Sequence, residues 1–272
     1  MRKSLSAMFV LLMSLALLLS ACGTSSKETT GDAKKEEKKT LKVVTDANYA
    51  PFEYMDKGEI VGFDVDFIKA VAKEAGVEVK IENIGWDPLF VEIKGKSADV
   101  GMSAITINDD RKQTYDFSSP YFLSTNKILV KEGSPIKTAA DLKGKKIAVQ
   151  NGTTGQEAVE DLLGANNESI KKFKNTILAI MELNSGGADA VVADNTVVEE
   201  YAKNNPKEKL IVIEDATSFK SEYYGLMFPK GSVVKADFDK AIKTIFENGT
   251  YAKIYEEWFG TAPDLEKIQA QQ

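Results

Sequence analysis

From residue 41 onward the chain alternates short extended runs with helix-forming faces, stops, and then begins the same alternation again. Residues 41–45 read as a strand and residues 59–63 as a second extended piece. Over residues 64–75 the apolar positions Val65, Ile68, Val71, Ala72 and Ala75 recur at the spacing of one helix face, and Gly76 ends it. Val77, Val79 and Ile81 alternate with charged residues, as a half-buried strand does. Asp87 and Pro88 are read as the cap and first turn of a short helix, and residues 98–104 as a mostly apolar strand. The second round comprises an extended run at 127–130, a short helix at 138–142 and a strand at 146–149. A helix at 156–163, a strand at 190–193, a helix at 196–203 and a strand at 210–213 follow. Two further helical patterns, separated by Asn248-Gly249, fill residues 233–258. Alternation of this kind predicts an α/β fold with parallel sheets, and its restart predicts two lobes.

Open α/β sheets bind ligands beyond the carboxyl ends of their strands. Four places meet that condition: residues 46–52, 103–106 and 150–154, and Asp194. The first is the most unusual. In the run VTDANYAPFE a strand ends on a carboxylate, Asp46, followed by the aromatics Tyr49 and Phe52 around Pro51.

Several function classes are excluded by what is missing. The chain has no histidine, which removes Ser-His-Asp and Cys-His nucleophile systems and the usual zinc sites. It has no glycine-rich phosphate loop of either common spacing. With 35 basic and 41 acidic side chains and no basic block, it does not suit a nucleic-acid backbone. No metal or cofactor is expected. Asp64 and Asp66 lie two apart at a helix start and do not face each other, so they are not a catalytic pair.

The N-terminus reads as an export signal over residues 1–21: Arg2 and Lys3, then an apolar stretch, then small residues before the single cysteine. Leu19-Ser-Ala-Cys22 resembles a bacterial lipobox, which implies that Cys22 becomes the lipidated first residue of the mature chain. Residues 22–40 are polar and charged and read as a flexible tether. With no second cysteine the fold must stand on its core, without disulfides.

Five blocks together resemble the polar amino-acid family of solute-binding proteins that feed bacterial ABC importers. They are Tyr49-Ala-Pro-Phe-Glu53, Gly62-Phe-Asp-Val-Asp-Phe67, Ser103-Ala-Ile-Thr-Ile-Asn-Asp-Asp-Arg111, Asn151-Gly-Thr-Thr154, and Asn248-Gly-Thr-Tyr251 with Trp258-Phe-Gly260. The similarity covers nearly all of residues 41–260 and is strongest to the arginine- and basic-amino-acid-binding branch. It implies a two-lobed type II periplasmic-binding fold, each lobe a sheet flanked by helices, with two hinge strands. Lobe 1 would be discontinuous, residues 41–123 plus 222–260, and lobe 2 would span 127–220.

The resemblance also implies the site. Arg111 would clamp a ligand α-carboxylate with its planar fork, helped by Ala104, Thr106 and the helix start at Thr154. Asp194 and Ala104 would receive the α-ammonium. Asp46, Tyr49 and Trp86, with Phe52 and Gln150, would line the side-chain pocket. A carboxylate and ring faces suit a cation, and Gln150 and Ala193 are neutral where glutamine-binding relatives carry basic side chains. Arginine is the expected ligand, then lysine or histidine; glutamine is the alternative within the class. The expected partners are an ABC permease and the outer face of the cytoplasmic membrane, through Cys22, with the protein itself a monomer. The alternative from another class is an exported dehydratase-like enzyme, whose acid–base candidates would be Asp46, Glu53 and Asp194.

Overall fold

The computed structural model describes residues 39–271, so the export signal, Cys22 and the tether up to residue 38 lie outside the described residues. The first strand, Thr40–Thr45, is the second strand of a five-stranded sheet. The spatial order is Glu78–Asn83, Thr40–Thr45, Val100–Gly101, Met227–Pro229 and Tyr115–Phe117. A second sheet runs Ile170–Phe173, Ile147–Gln150, Ala190–Asp194, Phe122–Lys131 and Leu210–Ile213. Two lobes, each built on its own sheet, follow from this.

Neither sheet is wholly parallel. Three strands of each are parallel, and the rest pair antiparallel. The antiparallel members arrive without a crossover helix, which only parallel neighbours require. Phe122–Lys131 passes between the lobes: its first residues pair with Ser221–Tyr224, and its remainder joins the second sheet.

The helix Phe63–Glu74 turns Phe67, Ile68 and Val71 towards Leu41 and Val43, as its 3.6-residue periodicity requires. Lys235–Glu247 and Thr250–Phe259 close the same core through Phe238, Ile242, Phe246 and Tyr251. The C-terminal helical pair therefore packs on the lobe that contains the first strand. Trp258 Nε1 fixes it by donating to Asp66 Oδ2 at 2.9 Å. The second sheet is covered on both faces, by Val159 on one and by Ala179, Ile180 and Leu183 on the other.

Several local expectations are corrected. The apolar run 98–104 forms a strand only at Val100–Gly101, because Ala104 adopts a left-handed backbone with φ 46°. The helix Trp86–Lys94 begins on Gly85 rather than on Asp87, which instead sits in the first turn, where its charge complements the helix dipole. The strand Ile170–Phe173 and helix Thr176–Ser185 have no counterpart in the sequence reading. The helix is apolar almost all round, so it shows no stripe, and the strand carries two lysines in four residues.

Gly62 joins the short strand Glu59–Val61 to the first helix with φ 141°. A Cβ there would stand 2.0 Å from the Phe52 carbonyl oxygen. Gly62→Ala is expected to destabilise the fold by about 3 kcal/mol, read as a lower urea midpoint at unchanged slope. An unchanged midpoint would show that the backbone yields there without cost.

Candidate functional site

The strand ends converge on one cleft, which the alternation of strands and helices dictates. Thr40–Thr45 delivers Asp46, Val100–Gly101 leads into Ser103 and Ala104, Ile147–Gln150 ends on Gln150, and Ala190–Asp194 ends on Asp194. One cavity is lined by Asp46, Tyr49, Trp86, Ser103, Ala104, Thr106, Arg111, Gln150, Thr153, Thr154 and Asp194. Every side-chain and backbone position expected at the site is thus gathered there except Phe52.

Phe52 belongs to the core. It is fully buried and meets Phe122 at 4.8 Å and Tyr224 at 5.4 Å between ring centroids, both edge-on. Its ring presents nothing to the cavity because Tyr49, stacked over it at 6.2 Å, lines the cavity instead. Such aromatic pairs contribute about 0.5–1.5 kcal/mol each beyond burial. Phe52 therefore braces the cleft floor against the two strands that pass between the lobes.

Arg111 projects from the helix Asp109–Thr114, whose start is capped by the Asn108 carboxamide accepting the Arg111 N–H at 2.9 Å. Its guanidinium donates to the Thr106 carbonyl at 2.8 Å and, across the cleft, to the Gly152 carbonyl at 3.2 Å. It also lies 5.5 Å from the Trp86 ring centroid and 5.4 Å from that of Phe90. Trp86 thus offers a ring face to Arg111 and also lines the cavity. Burial pushes the Arg111 pKa down, opposed by Glu157, Glu222 and Asp194.

Two carboxyl groups line the same space, and a third stands behind it, bonded to the lining residues Thr106 and Thr154. Asp46 is held by the Asn48 carboxamide at 2.8 Å and meets Gln150 Nε2 at 3.5 Å from the opposite lobe. Burial raises its pKa, partly offset by Asn48, Lys174 and Gln150. Gln150 itself is oriented by Thr176 Oγ1, which donates to its Oε1 at 2.8 Å. Asp194 accepts from the Tyr224 hydroxyl; burial raises its pKa, while Tyr224, Tyr49 and Arg111 lower it. The third, Glu222, comes from the strand Ser221–Tyr224. It accepts from Thr106 Oγ1 at 2.8 Å, Thr154 Oγ1 at 2.8 Å and Asn126 Nδ2 at 2.6 Å, so it ties both lobes together. Burial, then the nearby Asp194, raise its pKa to about 7.

Glu222 and Phe90 lie outside every stretch the sequence pointed to, whereas Ser103 and Thr153 lie inside two of those stretches without having been given a role of their own. A lone carboxylate in Ser221-Glu-Tyr-Tyr224 was the available signal, since a charge directly before two strand aromatics asks for a partner. The cavity measures about 20 Å³, room for little more than one water. Among the described residues there is no cluster of acidic or sulfur side chains able to hold a metal, and no helix long and apolar enough to cross a membrane.

Comparison with known proteins agrees with the two-lobed fold. The profile of the bacterial extracellular solute-binding proteins, family 3, matches residues 41–261. A probable histidine-binding protein of Neisseria gonorrhoeae is 40% identical over 247 residues, covering 90% of this chain and 91% of that protein. The arginine-binding extracellular protein ArtP of Bacillus subtilis is 34% identical, covering 89% of this chain and 92% of its own. Among solved structures, the arginine-, lysine-, histidine-binding protein ArtJ of Geobacillus stearothermophilus superposes with a TM-score of 0.84. It is 57% identical to this chain, over 85% of it and 100% of its own length. These relatives are binding proteins and the two-lobed architecture is theirs: the chain belongs to the bacterial extracellular solute-binding proteins, family 3.

Proposed function

We propose that this protein captures arginine, and with it lysine and histidine, for an ABC importer. One observation carries the reading: the cavity is lined by two carboxylates and one guanidinium, Asp46, Asp194 and Arg111. A basic amino acid carries the complementary set, two cations and one carboxylate. Arg111 takes the α-carboxylate, assisted by Thr106 and by the helix start at Thr154; Asp194 and the Ala104 carbonyl take the α-ammonium. The side chain runs to Asp46, with Tyr49 beside it. With glutamine as ligand Asp46 would keep an uncompensated charge, because Gln150 opposite it is neutral. The names of the three relatives, each a histidine- or arginine-binding protein, favour the same ligand class.

The mechanism is hinge closure about Phe122–Lys131 and Ser221–Tyr224, which join the lobes of residues 41–123 with 222–260 and 127–220. Direct contacts across the cleft, Gln150 to Asp46 and Arg111 to Gly152, leave only a small cavity. An amino acid enters when the lobes part, and contacts from both walls then favour the closed form. Cys22 anchors the chain by lipid to the outer face of the cytoplasmic membrane, where the closed monomer meets its permease. An enzyme on the same scaffold is disfavoured: Glu53, one of its three candidate acids, is fully buried and cannot touch a substrate.

Thermal-shift screening of the twenty amino acids tests the assignment: arginine, lysine and histidine should raise the melting temperature most. A larger shift with glutamine would reverse the ligand choice. Arg111→Ala should weaken arginine binding at least a hundredfold, about 3 kcal/mol, whereas unaltered calorimetric affinity would remove the clamp role. Asp46→Asn should cut the preference for arginine over glutamine by about tenfold or more. An unchanged ratio would place the selector elsewhere.

A further inference from the structure

Beneath the cleft lie two carboxyl groups that do not line it, and both are fully buried. Glu53 comes from the strand Glu53–Asp56 and Asp64 from the first turn of the helix Phe63–Glu74. Glu53 Oε1 accepts from Ser103 Oγ at 2.8 Å, and Ser103 Oγ accepts the Asp46 N–H at 3.2 Å. Asp64 Oδ2 accepts the Ala104 N–H at 2.9 Å and the Tyr121 hydroxyl at 2.8 Å. The remaining oxygens, Glu53 Oε2 and Asp64 Oδ1, are buried and take no N–H or O–H from any other residue. The two carboxyls stand close enough to perturb each other's ionisation. Carboxylates are acceptors only, so these two unpartnered oxygens can satisfy each other only through a proton on one of them.

The neighbouring titratable groups are Asp46, Tyr49, Tyr121 and Tyr251, and none of these is a cation. Two bare charges without a counter-ion would be very costly in this interior. We propose that Glu53 and Asp64 share one proton and act as a single positioning unit that sets Ser103, Ala104 and the Asp46 strand end at the ligand site. Through Asp64 the unit holds Ala104 in its left-handed conformation at φ 46°, a backbone state unfavourable for an alanine. Through Ser103 it fixes the backbone of Asp46. Neither acid touches ligand. The effect on affinity rests on the proposed function; the shared proton does not.

Burial, then the partner carboxyl, raises the Glu53 pKa well above its ordinary value of 4.5, and burial raises that of Asp64 to about 6. The folded chain therefore keeps a proton that the unfolded chain releases. Its stabilising contribution is complete below the unfolded value and is lost as pH rises through the folded one. Glutamine at position 53 reproduces the protonated acid, with an N–H for Asp64 and a carbonyl for Ser103, and has no proton to lose.

The test uses the full chain as wild type, Glu53→Gln and Glu53→Leu. Melting temperature is followed from about pH 5 to 8 and arginine affinity by calorimetry. The wild type should lose melting temperature as pH rises, and Glu53→Gln should lose clearly less. Glu53→Leu should bind arginine at least tenfold more weakly, and Glu53→Gln should recover most of that loss. Equal pH slopes for wild type and Glu53→Gln would overturn the shared proton, as would equal affinity losses in the two variants for the positioning role. If Glu53→Leu does not fold, the Glu53→Gln slope still decides. If the wild type binds no basic amino acid while the slopes differ, the ligand assignment fails and the proton pair stands.

Discussion

The hydrogen bonding of one strand, Phe122–Lys131, sets the geometry of everything else. It pairs with Ser221–Tyr224 where the chain passes between lobes, and further along with Ala190–Asp194 and Leu210–Ile213 in the second sheet. Because Phe122 and Tyr224 sit opposite each other and both bear on Phe52, the crossing is anchored in the first lobe's aromatic core. Tyr224 then reaches out of that core to Asp194 and Ser124. A single antiparallel pair thus connects the hydrophobic interior of one lobe to the polar groups of the other.

The cleft is built from charges that the fold does not neutralise in pairs. Asp46, Asp194 and Glu222 all carry pKa values pushed upward chiefly by burial. Neutral donors hold them instead: carboxamides on Asp46, a tyrosine hydroxyl on Asp194, threonine hydroxyls and a carboxamide on Glu222. Such donors orient a carboxylate without cancelling its field. That leaves the charge free to act on whatever lies between the walls, at a cost in folding stability that the two apolar cores must offset.

Much of this was legible in the residues. The face of Val65, Ile68 and Val71 announced the first helix, and the strand ends announced the cleft, because period and strand direction are local properties. Asp194 was legible as a strand end, but Arg111 could be named only by resemblance; nothing in its neighbours separates it from a surface charge. Glu222 escaped because its partners, Thr106, Asn126 and Thr154, are distant in sequence and meet only once the lobes are assembled. Phe52 looked like a pocket ring from its neighbours in VTDANYAPFE, and its true surroundings, Phe122 and Tyr224, come from far along the chain. The helix Thr176–Ser185 was invisible for the opposite reason: an element apolar on nearly every side has no stripe to detect.

The two tryptophans occupy unlike surroundings. Trp258 lies behind the first lobe, bonded to Asp66 and edge-on to Tyr54. Trp86 lies where the lobes meet: a Cβ on Gly152, in the opposite lobe, would stand 3.3 Å from its indole nitrogen, and Arg111 covers its ring while reaching for the Gly152 carbonyl. Any change in the gap between the lobes alters the polarity around one indole and leaves the other as it was. The chain therefore carries a built-in optical gauge of its own cleft, with an internal reference, and needs no added dye.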